Sequence, residues 1–178
     1  SLLTGRLPSV HGARHNGIPL PFSEVTFTER LRDAGYATAL IGKAHLQNIS
    51  GNAPVWPPAS QPPTRGEARR LEPGRFNQEW GPSWDAEPDF EMDLPFYGFE
   101  QVRLVINHGD TAGGHYRRWL RQEYPDVAAR TGPKHALPTP DYVLSQFQQA
   151  WRTQVPEELS TTSYVGVQTC KILSDMAA

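Results

Sequence analysis

The stretch Thr26–Leu46, TFTERLRDAGYATALIGKAHL, does more than any other to limit the folds open to this chain. Thr26 and Glu29 have the T-x-x-E spacing of a capping box, in which each residue satisfies a backbone donor left over in the first helical turn. Phe27, Leu31 and Ala34 then fall on one helical face. Gly35 stands where a helix takes a left-handed closing residue. Tyr36–Ile41 is a short apolar run of the kind a buried strand shows. The spacing therefore predicts a helix from about Thr26 to Ala34 and a buried strand over Tyr36–Ile41. Helix, glycine turn and strand make half of a parallel α/β crossover. In open α/β sheets ligands bind beyond the carboxyl ends of the strands, and Gly42-Lys43-Ala44-His45 emerges at that end.

Three zones follow from composition. Residues 1–47 and 99–178 carry periodic patterns, whereas 48–98 hold more than half of the 17 prolines, with Trp56, Trp80 and Trp84 among them. That middle zone is expected to be a loop insertion pinned by its tryptophans. In GFEQVRLVINHGD the residues Val102, Leu104 and Ile106 alternate with polar ones, which predicts a second strand. Tyr116–Tyr124 is expected as a short helix with Trp119 and Leu120 inward, stopped by Pro125. Residues 126–140 are expected as loop, Tyr142–Trp151 as a short helix, and Ser160–Met176 as a last helix capped by Ser160 or Thr161.

Several classes of function are disfavoured by bulk properties. A net charge of -2 over 178 residues offers no basic field for a nucleic acid. No apolar run approaches the length of a membrane span. A single cysteine, Cys170, rules out an internal disulfide and a Cys-rich zinc site, and is expected to be an inert buried thiol.

The opening SLLTGR resembles the second half of the sulfatase signature C/S-x-P-S-R-x-x-x-x-T-G-R, and GYATALIGKAHL resembles that family's G-Y-x-T-x-x-x-G-K-x-H-L block. The distance between the two blocks also fits. LPFYGFEQVRLVINHGDTAGGHYRRWL is similar to a segment of some bacterial sulfatases. The resemblance implies a partial N-terminal catalytic domain over 1–178, with an alkaline-phosphatase-like α/β fold: a parallel sheet flanked by helices, incomplete at both ends. It places the nucleophile, a Cys or Ser converted to formylglycine, six positions before Ser1. It further implies a divalent cation, Ca2+ in most such relatives, held by Asp and Asn ligands outside this chain. The partners it implies are a small-molecule or saccharide sulfate ester and the formylglycine-generating machinery. On this expectation the chain by itself is inactive.

Hydrolysis of a sulfate ester needs a nucleophile, cations around the sulfuryl oxygens and proton transfer to and from reacting oxygens. By resemblance, Lys43 contacts the sulfate and His45 takes a proton as the enzyme is regenerated. A lysine is a compact point charge and a histidine titrates near neutrality. In extended backbone the two side chains would point the same way. Arg6 closes the signature and, by resemblance, buttresses the nucleophile loop; it could equally cap a helix end. Asn16 lies where relatives that cleave phosphonate and phosphate diesters put an anion-contacting asparagine, although Asn-Gly also favours turns. His108, Asp110 and His115 form H-x-D-x-x-x-x-H in a glycine-rich loop, a spacing open to a transition metal, to substrate contact by either histidine, or to ordinary loop bonding.

Two alternatives stand beside the sulfatase reading. One is a phosphonate monoester or phosphodiester hydrolase on the same scaffold. The other is a catalytically silent homologue that serves as a binding module.

Overall fold

The computed structural model describes residues 1–14, 16–49, 74–87, 89–139 and 150–177. It is a mixed α/β structure with six α-helices and one three-stranded sheet among those residues. The chain forms two compact units, Ser1–Leu40 with Ala44–Val102, and Ile41–Lys43 with Arg103–Ala178.

In the first unit, α1 (Pro8–His11) is a single turn and α2 (Phe27–Asp33) is the helix expected from the capping box. Both halves of that box are made: Thr26 Oγ1 accepts the Glu29 N–H at 3.2 Å, and Glu29 Oε2 accepts the Thr26 N–H at 2.7 Å. The helix closes in a Schellman arrangement, with Gly35 N–H donating to Arg32 O and Tyr36 N–H to Leu31 O. Gly35 takes φ +88°, which a side chain would resist. This closing turn corrects the expected strand. Tyr36 is still engaged in ending the helix, so β1 begins later, at Ala39, and runs to Gly42, half-buried over most of its length.

The face that α2 buries also differs from expectation. Thr26 and Thr28 are buried and both hydroxyls donate to the Tyr97 carbonyl. These bonds set the rotation of the helix and leave Phe27 and Leu31 exposed. The core of this unit is aromatic: Phe22 stacks on Phe76 and Tyr97 at 4.5 and 5.2 Å, and Trp84 packs on Phe90 at 4.8 Å. Trp84 belongs to α3 (Gly81–Ala86), a helix inside the zone expected to be loop. Trp80 is half-buried, while Trp56 lies outside the described residues.

The second unit contains most of β2 (Gln101–Ile106), whose Val102, Leu104 and Ile106 are all buried as their alternation predicts. β3 (Gly113–Gly114) pairs with it antiparallel, Val105 opposite Gly114 and Ile106 opposite Gly113. The strand order is β1-β2-β3. The sheet is therefore mixed and not the purely parallel one expected, because the short link from Ile106 to Gly113 can turn back but cannot make a parallel crossover. Gly114 permits the turn: its φ is +72°, and a Cβ there would lie 2.6 Å from Leu104 O.

α4 (His115–Glu123) follows at once. Pro125 ends it and also opens α5 (Pro125–Ala128), since a proline suits the first helical position. With a further helical turn at Pro133–His135, the segment expected to be plain loop is partly helical. Tyr116, Leu120, Val105, Ala112, Val155, Leu159 and Tyr164 form the core. Burial pushes the Tyr116 phenol up to about 12, so it stays a neutral donor to Leu159 O at 3.0 Å.

α6 (Thr161–Ala177) starts as expected, with Ser160 Oγ accepting the Ser163 N–H at 3.2 Å. It buries Tyr164 and Ile172. Cys170, however, is exposed. Six residues beyond Tyr164, it sits about 240° around the helix and faces away from that core. The helix expected over Tyr142–Trp151 falls almost wholly outside the described residues. No helix among the described residues is long and apolar enough to cross a membrane.

Candidate functional site

β1 delivers Lys43, and the chain stays out of any helix from Lys43 to Gln47. Lys43 Nζ donates to Asn107 O at 2.9 Å and lies 3.4 Å from both ring nitrogens of His108. Asn107 holds a left-handed φ of +66°, which turns the chain sharply out of β2. An ammonium has three donors, so the bond to Asn107 anchors the charge and leaves donors for an anion. Lys43 is exposed, where a ligand can reach it.

The loop that holds Lys43 is itself held by Asp110. Buried at 6% exposure, Asp110 accepts Gly132 N–H and Trp151 Nε1–H on one oxygen, each at 3.1 Å, and the Thr153 hydroxyl on the other. Thr111 Oγ1 donates to His108 O, closing the same turn. His115 Nδ1 accepts the Leu104 N–H at 3.0 Å. The H-x-D-x-x-x-x-H spacing thus places one histidine beside Lys43, the aspartate in a structural hub and the other histidine against β2. Among the described residues no group of three or more His, Cys, Asp or Glu side chains could hold a metal ion.

Desolvation, followed by the nearby Arg103 and Arg118 charges, lowers the His115 pKa from 6.5 to about 4. The unfolded chain then binds a proton more readily than the folded one between these values. Stability is complete above about pH 6.5 and falls as the pH drops to 4 and below, by about 3 kcal/mol. In His115→Gln, whose amide oxygen can still accept the Leu104 N–H, that part of the pH dependence should disappear from urea titrations. An unchanged slope would show that His115 does not carry it.

His45 lies in the other unit and is gripped through its backbone. Its N–H donates to Glu79 Oε1 at 2.9 Å, and the Gln47 N–H donates to Glu79 Oε2 at 2.6 Å. His45 takes φ +59°. The extended backbone that would align Lys43 and His45 by alternation is therefore absent, because the chain turns at His45. Leu46 O accepts the Leu20 N–H, and the Gln47 side chain bonds Gln78 N–H and Arg75 O. Gln47, Gln78 and Glu79 are all buried.

Sequence reasoning missed this polar knot. Gln78-Glu79 in a proline-rich zone has the composition of a solvated loop, and the neighbouring Phe76, Trp80 and Trp84 were the available hint of burial.

Arg6 caps no helix. Its guanidinium pairs with the buried Glu24 at 2.8 Å and so ties the opening turn to the segment before α2. Asn16 is exposed.

An α/β chain with a Gly-Lys-x-His segment leaving its first strand invites comparison with hydrolases of sulfate esters, and the comparison holds over part of its length. The chain is 51% identical over 51 residues to arylsulfatase G of Rattus norvegicus and to that of Mus musculus. It is 49% identical over 51 residues to arylsulfatase G of Canis lupus familiaris. The matching stretch is 26% of this chain and 10% of each relative, so the chain spans about a tenth of the length of the curated relatives it matches. This likeness supports a sulfatase relationship for that stretch. No family profile and no solved structure matches the chain.

Proposed function

We propose that the full-length protein carrying this chain is a sulfatase that hydrolyses sulfate esters on an alkaline-phosphatase-like scaffold. The observation that carries this reading is the likeness to arylsulfatase G at about 50% identity over 51 residues. The local structure gives the reading a physical basis. Lys43 presents an anchored, exposed ammonium just past a strand end, suited to one sulfuryl oxygen. His45, whose imidazole can take up and give back a proton, moves one when the enzyme is regenerated. His108, against Lys43, lies where a second donor can reach the same anion; Asn16 and His115 remain as further substrate contacts within this proposal. Arg6, through Glu24, steadies the opening turn.

The formylglycine nucleophile and a divalent cation, Ca2+ by the same resemblance, belong to the proposal for the complete enzyme. The described residues do not fit the cation: they offer no cluster of ligands, and the Asp110 carboxylate is already engaged by three donors.

Turnover of an aryl sulfate and of the matching aryl phosphonate by the full-length protein tests the proposal. A sulfate kcat/KM well above the phosphonate value is expected. Equal or faster phosphonate turnover would make the protein a phosphonate hydrolase, and turnover of neither would favour the silent binding module.

A further inference from the structure

Glu79 is the charged group most deeply committed to the His45 segment. It is 1% exposed, and its two carboxylate oxygens are divided between the main-chain N–H groups of His45 and Gln47. A carboxylate spanning alternate amides works as a staple across the turn at Leu46. Bonds to an ionised acceptor are among the stronger ones available. The staple is needed because His45 holds a left-handed φ of +59°, a conformation that a non-glycine residue keeps when its surroundings impose it. The neighbouring contacts fix the rest of the segment: Leu20 N–H bonds Leu46 O, and the Gln47 amide bonds Gln78 and Arg75. The bond from Glu79 acts on the His45 backbone itself.

We infer that Glu79 is a positioning residue for His45, setting the direction in which the imidazole leaves the chain. This rests on the proposed role of His45 in sulfate-ester hydrolysis. Glutamine at this position would keep the shape yet offer one oxygen, and its amide N–H would oppose one of the two main-chain donors. Glu79→Gln therefore loosens the staple without creating a cavity.

In the full-length protein, Glu79→Gln should lower kcat on an aryl sulfate by about 10- to 100-fold, the scale of a misplaced catalytic group, with KM changed little. Glu79→Asp, which retains the charge but shortens the reach, should fall between wild type and Glu79→Gln. In a His45→Ala background the Glu79→Gln change should have no further effect on kcat, because the group it positions is gone. Amide hydrogen exchange at residues 45–47 should speed up in Glu79→Gln. If His45→Ala is slow but Glu79→Gln turns over at the wild-type rate, the positioning role fails while the sulfatase reading stands. An equal loss from Glu79→Gln with and without His45 would make Glu79 a general structural support and overturn the inference. A His45→Ala enzyme at full rate would overturn the inference together with the role given to His45.

Discussion

On the proposed sulfatase function, Lys43→Ala should lower the catalytic rate of the full-length protein by about 10²–10³-fold, the size seen when one donor to a developing oxyanion is removed. The effect should be large because the ammonium is fixed before substrate arrives. The bond to Asn107 O holds Nζ at 2.9 Å, so little reorganisation is needed when charge develops on the sulfuryl oxygens. Lys43→Arg should recover a small part of the loss. The guanidinium keeps the charge but presents a planar fork in place of a compact point charge, and cannot reproduce both the anchor and the anion contact.

His45→Ala should fail at a different step. If His45 serves regeneration of the enzyme, the first alcohol is still released, as a burst of about one equivalent, and turnover then becomes slow. The sulfuryl group should remain with the quenched protein and be visible in its intact mass. A wild-type steady state, or slow turnover with neither burst nor added mass, would remove His45 from this role. An unaffected Lys43→Ala enzyme would reduce the Gly-Lys-x-His segment to an ordinary strand end.

What sequence revealed and what it hid divide along the range of the interactions. The capping box of Thr26 and Glu29, the closing Gly35, the alternation of β2 and the Ser160 cap each depend on residues within a few positions, and each was legible. The buried face of α2 was not, because its rotation is fixed by Thr26 and Thr28 reaching Tyr97, about seventy residues ahead. Glu79 meets His45 across 34 positions, with a proline-rich stretch between them. No local period marks a carboxylate that will be buried and stapled to main-chain amides. Position 43 was readable as a candidate because resemblance pointed to it. That Asn107 O would anchor it was not, since a backbone carbonyl carries no sequence signature.

Asp110 is the second place where a single change should have a large effect, this time on order. Its carboxylate joins three parts of its unit, meeting Gly132, Trp151 and Thr153 from the loop that also carries Asn107 and His108. Asp110→Ala would leave those donors without their acceptor, at a cost of about 2–4 kcal/mol. For a chain of 178 residues the midpoint of thermal unfolding should fall by about 5–15 °C. Asp110→Asn should be milder, because the amide oxygen still serves Gly132 and Trp151 while the Thr153 hydroxyl can turn to accept from the amide nitrogen. Hydrogen exchange should report the loss locally, with protection falling first at Gly132 and in the loop after β2. Activity should follow order: as Asn107 loosens, Lys43 loses its anchor, so Asp110→Ala should depress kcat even below its melting range, whereas Asp110→Asn should largely preserve it. Full activity and unchanged exchange in Asp110→Ala would show that the loop holds its shape without the carboxylate, and would separate the Asp110 hub from the site that Lys43 occupies.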